Sequence, residues 1–295
     1  MAARLIDGKA YAQNLKDEVR QTIASIASGA SGRVDPITLA AVQIDGSPGG
    51  VDVYAASQKR CAESVGIAFH HVRLPAETTE ETLCGTIESL NQNPSIHGIL
   101  LLRPLPDGID DRRAACCISP DKDVEGQHPA NLGSLVTGSP CLVPCTANAA
   151  VSLLRSTGIE VRGLEVVVVG HSDIVGKPIA LLMVNDLATV TTCHIATADL
   201  AAHTRRADIL FSAAGVAGLI TGDMIKPDSV VIDIGINPIR VERDGVAKTK
   251  IVGDVDFDSA RDVARWITPV PGGVGPVTTV MLMRNTVQAY GRAVR

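Results

Sequence analysis

Short apolar runs alternate with segments of helical periodicity along most of this chain, and the alternation constrains the fold more than any other feature. Residues 37–44 are apolar on both faces, as in a strand buried inside a parallel sheet, and residues 9–27 repeat apolar side chains at helical spacing. Parallel strands joined by helices form βαβ units, so the sequence predicts an α/β protein. The predicted strands span residues 37–44, 67–74, 98–102, 166–169, 189–194, 207–214 and 229–235, and the predicted helices span residues 9–27, 51–65, 80–90, 147–155 and 277–293.

Residues 107–144 interrupt the alternation with a stretch rich in Pro, Gly, Asp and His. Such composition is typical of functional loops beside a site. We place a domain boundary after this stretch, which gives a first domain of residues 1–147 and a second domain of residues 148–276. The last helix, within residues 277–295, is free to pack back on the first domain.

The composition points to a small-molecule ligand rather than to nucleic acid or membrane. The formal net charge is -5, whereas nucleic-acid binding usually requires a basic face. No run approaches the roughly 18 apolar residues that span a bilayer, and the first residues lack the apolar stretch of a signal peptide. We therefore expect a cytoplasmic protein with no nucleic-acid and no membrane partner.

The seven cysteines include no CxxC pair. This spacing suggests neither a disulfide framework nor a zinc knuckle, and buried reduced thiols are the expected state. Cys141, Cys145, Cys193 and His194 are residue types that bind metals, but we assign no metal to them.

A buried strand, a glycine turn and a helix start follow one another in VVVVGHSDIVGKP, residues 166–178. Gly170 allows a tight turn, Ser172 offers a hydroxyl, and the helix start after Ile174 presents free amides to a pyrophosphate. Gly176 completes the pattern. An ordinary βα connection also explains such a turn, and the surrounding βαβ pattern favours a dinucleotide site.

Two further turns follow strands, where the crevice of an open α/β sheet lies. They are AAG at 213–215 and DIGIN at 233–237, and ordinary tight turns are the alternative for each alone. Residues 268–278, TPVPGGVGPVT, contain too many Pro and Gly for regular structure, and we interpret them as a loop closing over a site.

The chain resembles the methylenetetrahydrofolate dehydrogenase/cyclohydrolase family in ordered segments that cover nearly its whole length. These segments are KDVEGQHPANLG, VPCT, VVGHSDIVGKP, ADIL, GDMIKP, VVIDIGIN, GDVDF and ITPVPGGVGPVT. The resemblance implies an α/β catalytic domain at the N-terminus, a Rossmann-type NAD(P)-binding domain at the C-terminus, a folate cleft between them, and usually a homodimer.

The resemblance also implies a folate subsite, in which this sequence departs from the family pattern. Tyr54 matches the tyrosine whose ring lies along the pterin, but Gln58 stands where the family has a lysine. Leu102 replaces the glutamine that partners that lysine and precedes the family's Leu-Pro-Leu-Pro segment. Glu125 replaces an aspartate that hydrogen-bonds the pterin. We expect these four side chains to line one cleft as the catalytic residues.

Two smaller departures are SPGGV at 47–51, in place of an Asp-Pro-Ala-Ser turn, and Ala147, which changes the family's Pro-Cys-Thr-Pro to PCTA. Tyr54, Glu125 and the loop residues Pro271, Gly272 and Gly273 are the expected contacts of a tetrahydrofolate substrate.

The cofactor segments stay close to the family pattern. NADP-using members often have a basic residue at the position of His171 and a serine at that of Ile195, and no acidic residue ends the second strand of this domain. The cofactor is therefore NADP or NAD, without a strong preference for NADP. The expected cofactor-binding residues are Gly170, His171, Ser172, Ile174, Gly176, Ile195, Gly215 and Ile236.

These residues predict an NAD(P)-dependent methylenetetrahydrofolate dehydrogenase with weak or absent cyclohydrolase activity. Hydride transfer needs two rings held face to face and no protein acid or base, whereas hydrolysis of the methenyl group needs proton transfer. Gln58 does not titrate near neutral pH, and we expect no other titrating group beside it. A folate-dependent one-carbon transferase or degenerate paralogue is the alternative, and a folate-binding module without activity is a third.

Overall fold

A computed structural model describes residues 2–29, 35–47, 50–243 and 246–293. The chain divides into two compact units. One, here called the three-stranded unit, comprises Asn14–Cys145 and Thr279–Arg295, and the other, the six-stranded unit, comprises Met1–Gln13 and Thr146–Thr278. The predicted α/β class with two domains is confirmed.

The three-stranded unit contains a parallel sheet in the order β3-β2-β4, with helices that follow each strand. Its elements are most of α1 (Gly8–Gly29), β2 (Thr38–Ile44), α2 (Val51–Val65), β3 (Ala68–Leu74), α3 (Glu80–Gln92), β4 (Gly98–Leu101), α4 (Asp111–Cys116), α5 (Pro129–Thr137) and most of α10 (Val274–Ala293).

Strands β2 and β4 of this sheet are buried and largely apolar, as the sequence pattern predicts. Every residue of β2 after Thr38 is buried, and the core includes Ile44 and Ile99 from the sheet and Leu83 and Ile87 from α3. Helix α2 ends where Gly66 takes a left-handed conformation with φ 90°, which glycine adopts without steric cost. Its predicted bounds agree with those observed. Of the predicted turn at residues 47–51, Pro48 and Gly49 lie outside the described residues.

The six-stranded unit contains a wholly parallel sheet in the order β1-β11-β8-β7-β5-β6 and an antiparallel pair, β9 and β10. Its elements are β1 (Arg4–Leu5), α6 (Cys145–Ser156, which begins at the last residue of the other unit), β5 (Glu165–Val169), α7 (Gly176–Asn185), β6 (Thr189–Cys193), α8 (Leu200–Thr204), β7 (Ile209–Ser212), β8 (Val230–Asp233), β9 (Asn237–Arg243), β10 (Val246–Val252), α9 (Phe257–Ala260) and β11 (Trp266–Ile267).

Two features of this unit differ from the sequence analysis. Strand β1 pairs with β11, so the first residues group with the six-stranded sheet rather than with the domain that the sequence assigns to them. The pair β9 and β10 was not predicted, because its alternating charged residues are those of a solvent-exposed ribbon rather than of a buried strand.

The expectation of reduced cysteines is wrong for one pair. Cys84 on α3 and Cys117, which directly follows α4, form a disulfide with a Cα–Cα distance of 5.6 Å. The two residues lie 33 positions apart, and only the packing of α3 against α4 brings them together. Among the described cysteines, Cys61, Cys141, Cys145 and Cys193 are buried free thiols and Cys116 is exposed.

Within the described ranges, no helix is long and apolar enough to span a membrane.

Candidate functional site

Tyr54 and Gln58 lie four residues apart on α2 and therefore on the same face of the helix. Tyr54 is 41% exposed, whereas Gln58 is only 1% exposed. The Gln58 side chain hydrogen-bonds the Tyr54 hydroxyl, and its Oε1 is buried with no hydrogen-bond partner among the described residues. Burial, followed by the nearby Glu125 and Cys145, raises the pKa of Tyr54. The face thus holds a neutral phenol and an amide with one unsatisfied acceptor.

Glu125 lies near this face, and its carboxylate is held by a residue that the sequence analysis did not single out. Arg103 Nη1 donates to Glu125 Oε2 at 2.7 Å, and Arg103 Nε donates to Asp111 Oδ1 at 2.6 Å. Burial raises the pKa of the Glu125 carboxyl to about 7, against the opposing effect of Arg103. A group titrating near neutral pH therefore does stand beside Tyr54, contrary to the expectation from the sequence.

Leu102 is an apolar side chain that is fully buried. Its backbone N–H donates to the Val42 carbonyl at 2.9 Å, so the residue continues the pairing of β4 with β2. The structure thus brings Tyr54, Gln58 and Glu125 together and places Leu102 within the core next to Arg103.

The backbone around Glu125 is fixed from two sides. Asn285 on α10 donates to the carbonyls of Val124 at 2.8 Å and Val143 at 3.0 Å. Gly126 has φ 68°, and a Cβ there would lie 2.5 Å from the Leu142 carbonyl oxygen. Arg103 and Asn285 were missed because each acts through a partner more than 20 residues away, which no local pattern reveals. The signal for Arg103 was its charge in an otherwise apolar segment.

In the six-stranded unit, the turn after β5 has the geometry that a pyrophosphate site requires. Gly170 has φ 119°, and a Cβ on it would overlap the Ala213 carbonyl, while a Cβ on Gly176 would overlap the Gly170 carbonyl. Ser172 Oγ accepts from the Val175 N–H at 3.2 Å. Helix α7 then begins at Gly176 without a side-chain cap, which leaves its positive dipole end available to an anion.

Two buried carboxylates shape the turns that follow β7 and β8. Asp254 accepts from the N–H groups of Ala214 at 2.6 Å, Gly215 at 3.1 Å and Val216 at 3.0 Å. Asp233 accepts from Gly235 and Val255 at 3.0 Å each, and burial raises its pKa to about 6. These contacts explain why the DIGIN and GDVDF segments carry Asp233 and Asp254. Local sequence patterns did not provide that explanation.

The remaining predicted cofactor residues are exposed along the same edge of the sheet. Ile174 is 45%, Ile236 65% and Ile195 101% exposed. The rings of His171 and His194 lie 5.2 Å apart between centroids, and β6 ends in Cys193 without an acidic residue beside it. Space above Gly215 is open, because nothing lies within 4 Å of a Cβ built there.

The loop at 268–278 encloses a small cavity of about 180 Å³ together with the DIGIN turn. Lys9, Ile236 and the three predicted substrate residues Pro271, Gly272 and Gly273 line it. The Val270–Pro271 peptide is cis. The structure therefore places the loop and Ile236 together, in the unit that contains the dinucleotide turn.

The His, Cys, Asp and Glu side chains in the described part of the chain form no group of three or more that could hold a metal ion.

A parallel sheet with a glycine turn leading into an uncapped helix is the arrangement found in dinucleotide-binding α/β proteins. Two family descriptions match the chain: "Tetrahydrofolate dehydrogenase/cyclohydrolase, catalytic domain" over residues 6–125, and "Tetrahydrofolate dehydrogenase/cyclohydrolase, NAD(P)-binding domain" over residues 144–294. The chain belongs to the tetrahydrofolate dehydrogenase/cyclohydrolase family. The resemblance predicted from the sequence is confirmed.

Curated relatives and solved structures resemble the chain over nearly its full length. It is 47% identical to the bifunctional protein FolD of Rhodobacter capsulatus, covering 99% of this chain and 94% of that protein, and 47% identical to that of Moorella thermoacetica, covering 99% and 100%. The methylenetetrahydrofolate dehydrogenase-cyclohydrolase of Trypanosoma brucei, complexed with NADP cofactor and inhibitor, superposes with TM-score 0.91 at 39% identity, covering 100% of this chain and 99% of that one.

Proposed function

We propose that this protein is an NAD(P)-dependent methylenetetrahydrofolate dehydrogenase whose methenyltetrahydrofolate cyclohydrolase activity is weak or lost. The observation that carries the proposal is the amide of Gln58, buried against Tyr54 at the position of the family lysine, in a chain whose dinucleotide turn keeps its glycines. The first feature removes the proton-transfer group, and the second keeps the cofactor site.

The residues of the six-stranded unit fit NADP or NAD. A side chain at Gly170 or Gly176 would overlap the backbone of the turn that would hold the pyrophosphate, and the open space at Gly215 would admit a ring. The absence of an acidic residue at the end of β6 leaves room for a 2′-phosphate, and His171 and His194 lie there as polar neighbours. The NADP in the Trypanosoma brucei relative supports NADP as cofactor.

The residues of the three-stranded unit fit the pterin of a tetrahydrofolate. The partly exposed Tyr54 ring offers a flat apolar face, and Glu125 offers a carboxylate to the N–H groups of the pterin. In the six-stranded unit, Pro271, Gly272 and Gly273 remain the folate contacts that the family resemblance implies.

The nicotinamide supplies the hydride acceptor when the cofactor is bound. The protein has only to hold the rings and exclude water for this oxidation. Hydrolysis of the methenyl product needs a group that moves protons, and general acid–base assistance contributes about 10² to 10⁴-fold. Gln58 donates and accepts hydrogen bonds but moves no proton near neutral pH. Glu125, which titrates there, is tied to Arg103 and to the pterin.

The test is the absorbance of reduced nicotinamide after methylenetetrahydrofolate and NADP or NAD are added to the purified protein. We expect reduction that depends on both substrates. No reduction with either cofactor would overturn the proposal and favour a methylene transferase or degenerate paralogue.

Two variants test the loss of hydrolysis. Gln58→Lys restores the family's lysine, and Gln58→Lys combined with Leu102→Gln restores the lysine and glutamine pair. We expect both variants to hydrolyse methenyltetrahydrofolate faster than the unmodified protein. Glu125→Gln in the unmodified protein should leave the background hydrolysis unchanged. A large drop with Glu125→Gln at saturating methenyltetrahydrofolate would show that Glu125 has taken over proton transfer and would contradict the proposed loss.

We also propose that the protein is a cytoplasmic homodimer. The family resemblance supports both statements. Sedimentation velocity should give twice the mass of 30.8 kDa, and cell fractionation should recover the protein in the cytosol. A monomer at micromolar concentration would contradict the dimer.

A further inference from the structure

Arg103 occupies the position where the family pattern, Leu-Pro-Leu-Pro, has its first leucine. Its side chain is 24% exposed and makes three contacts: Asp111 at 2.6 Å, Glu125 at 2.7 Å, and the Leu101 carbonyl at 3.2 Å. An arginine with two carboxylate partners and one carbonyl partner is fixed in place, because each contact uses a different direction of the planar guanidinium.

The hydrogen bond from Arg103 makes the two oxygens of the Glu125 carboxylate inequivalent. Oε2 accepts from the guanidinium Nη1 at 2.7 Å, which commits that oxygen to Arg103. The side chain is 20% exposed, and because Oε2 is bonded to Arg103, Oε1 is the oxygen left for a ligand. The fixed backbone at Val124 and Gly126 prevents the residue from turning away.

The ionisation of the Glu125 carboxyl depends on Arg103. The other charged or titratable groups that influence it are the carboxylates of Asp123 and Asp111, and the Tyr54 hydroxyl and Cys145 thiol, whose pKa values burial raises. Asp123 is itself bonded to the His128 N–H at 2.8 Å and to Asn131 at 3.0 Å. Among the causes that lower the pKa of Glu125, Arg103 is therefore the largest.

We propose that Arg103 is a positioning residue for the folate substrate, which holds one oxygen of Glu125 so that the other accepts from the pterin. The arginine and the longer acidic side chain then replace the family's leucine and aspartate as a coupled pair. This inference rests on the proposed function and names how its folate subsite is built. The contact of Arg103 with Asp111 at the start of α4 anchors the guanidinium from the other side.

The experiment measures the binding of tetrahydrofolate, under anaerobic conditions, to the unmodified protein and to Arg103→Leu between pH 6 and pH 9. Without Arg103 the pKa of Glu125 rises above about 7. A rise of about one unit lowers the ionised fraction at pH 7 from about half to about a tenth. We expect affinity to fall about fivefold or more at pH 7, and the loss to shrink towards pH 9, where the carboxylate is ionised in both proteins.

Three further variants separate positioning from a structural role. Arg103→Lys keeps the charge and should restore most of the affinity. Arg103→Leu combined with Glu125→Asp recreates the family's pair and should bind better than Arg103→Leu alone. Arg155→Leu removes an ion pair of similar length, 2.7 Å to Asp186, outside the site and should leave folate binding unchanged.

An equal loss of affinity at every pH in Arg103→Leu, accompanied by a lower melting temperature and no recovery in the combined variant, would overturn the inference, since only folding would then depend on Arg103. Unchanged affinity in Arg103→Leu would also overturn it. Unchanged affinity in Glu125→Ala would instead remove Glu125 from the proposed folate subsite, so the two failures are distinguishable.

Discussion

Replacing Gln58 with methionine is expected to raise the free energy of unfolding by about 1 kcal/mol. The Gln58 Oε1 atom is buried without a partner, and a buried unsatisfied polar group costs about 1–3 kcal/mol. The substitution removes that cost and keeps the side-chain volume. It also loses the hydrogen bond to Tyr54, worth about 0.5–1.5 kcal/mol, but the partly exposed Tyr54 can bond to water instead.

Gln43 is the matched control, because it is a buried glutamine of the same unit whose amide is satisfied at both ends. Its Nε2 donates to Asp52 at 2.8 Å and its Oε1 lies 2.9 Å from His71 Nε2. Gln43→Met therefore loses two hydrogen bonds, one of them to a charge, and should lower the free energy of unfolding by about 2 kcal/mol.

Urea unfolding measures both variants. With a slope of about 2 kcal/mol per molar, the midpoint should rise by about 0.5 M for Gln58→Met and fall by about 1 M for Gln43→Met. Equal destabilisation by the two substitutions would refute the reasoning, since it would mean that Gln58 is as well satisfied as Gln43. A stabilised Gln58→Met would show that the amide is kept at a cost in stability, as expected of a residue that serves a ligand.

Three other substitutions have defined outcomes. Gly170→Val should abolish NADP binding in calorimetry, because its Cβ would overlap the Ala213 carbonyl; normal binding would contradict the assigned turn. Asp254→Asn should weaken NADP binding about tenfold, because the carboxylate accepts three N–H groups of the turn after β7; an unchanged dissociation constant would contradict that role. Cys84→Ser should lower the free energy of unfolding by about 2–4 kcal/mol through loss of the 33-residue link to Cys117, with exposed Cys116→Ser as the neutral control in the same urea assay; equal midpoints would mean that the disulfide does not form.

Local patterns were sufficient for most of the sheet-and-helix framework. Helix α2 was predicted with its observed bounds because Gly66 marks its end, and β5 was predicted within one residue because four valines in a row fit only a buried strand. The strands β1 and β11, of two residues each, were missed because they are too short to show a periodicity.

The contacts within the candidate site could not be predicted, because they join residues far apart in the chain. Arg103 and Glu125 lie 22 positions apart, and Cys84 and Cys117 lie 33 apart. The resemblance located Glu125, but neither pattern nor resemblance indicated that an arginine would hold it. The pKa of Glu125 follows from burial and from Arg103 together, and burial in a loop region has no sequence signature.

The most direct test of the proposed function follows reduced nicotinamide and the methenyl product in the same reaction. Starting from methylenetetrahydrofolate and NADP, the account predicts one methenyl group for each nicotinamide reduced, and then its decay at the uncatalysed rate. Reduction without accumulation of the methenyl product, or its rapid decay in proportion to the protein concentration, would contradict the central claim that oxidation survives and hydrolysis is lost.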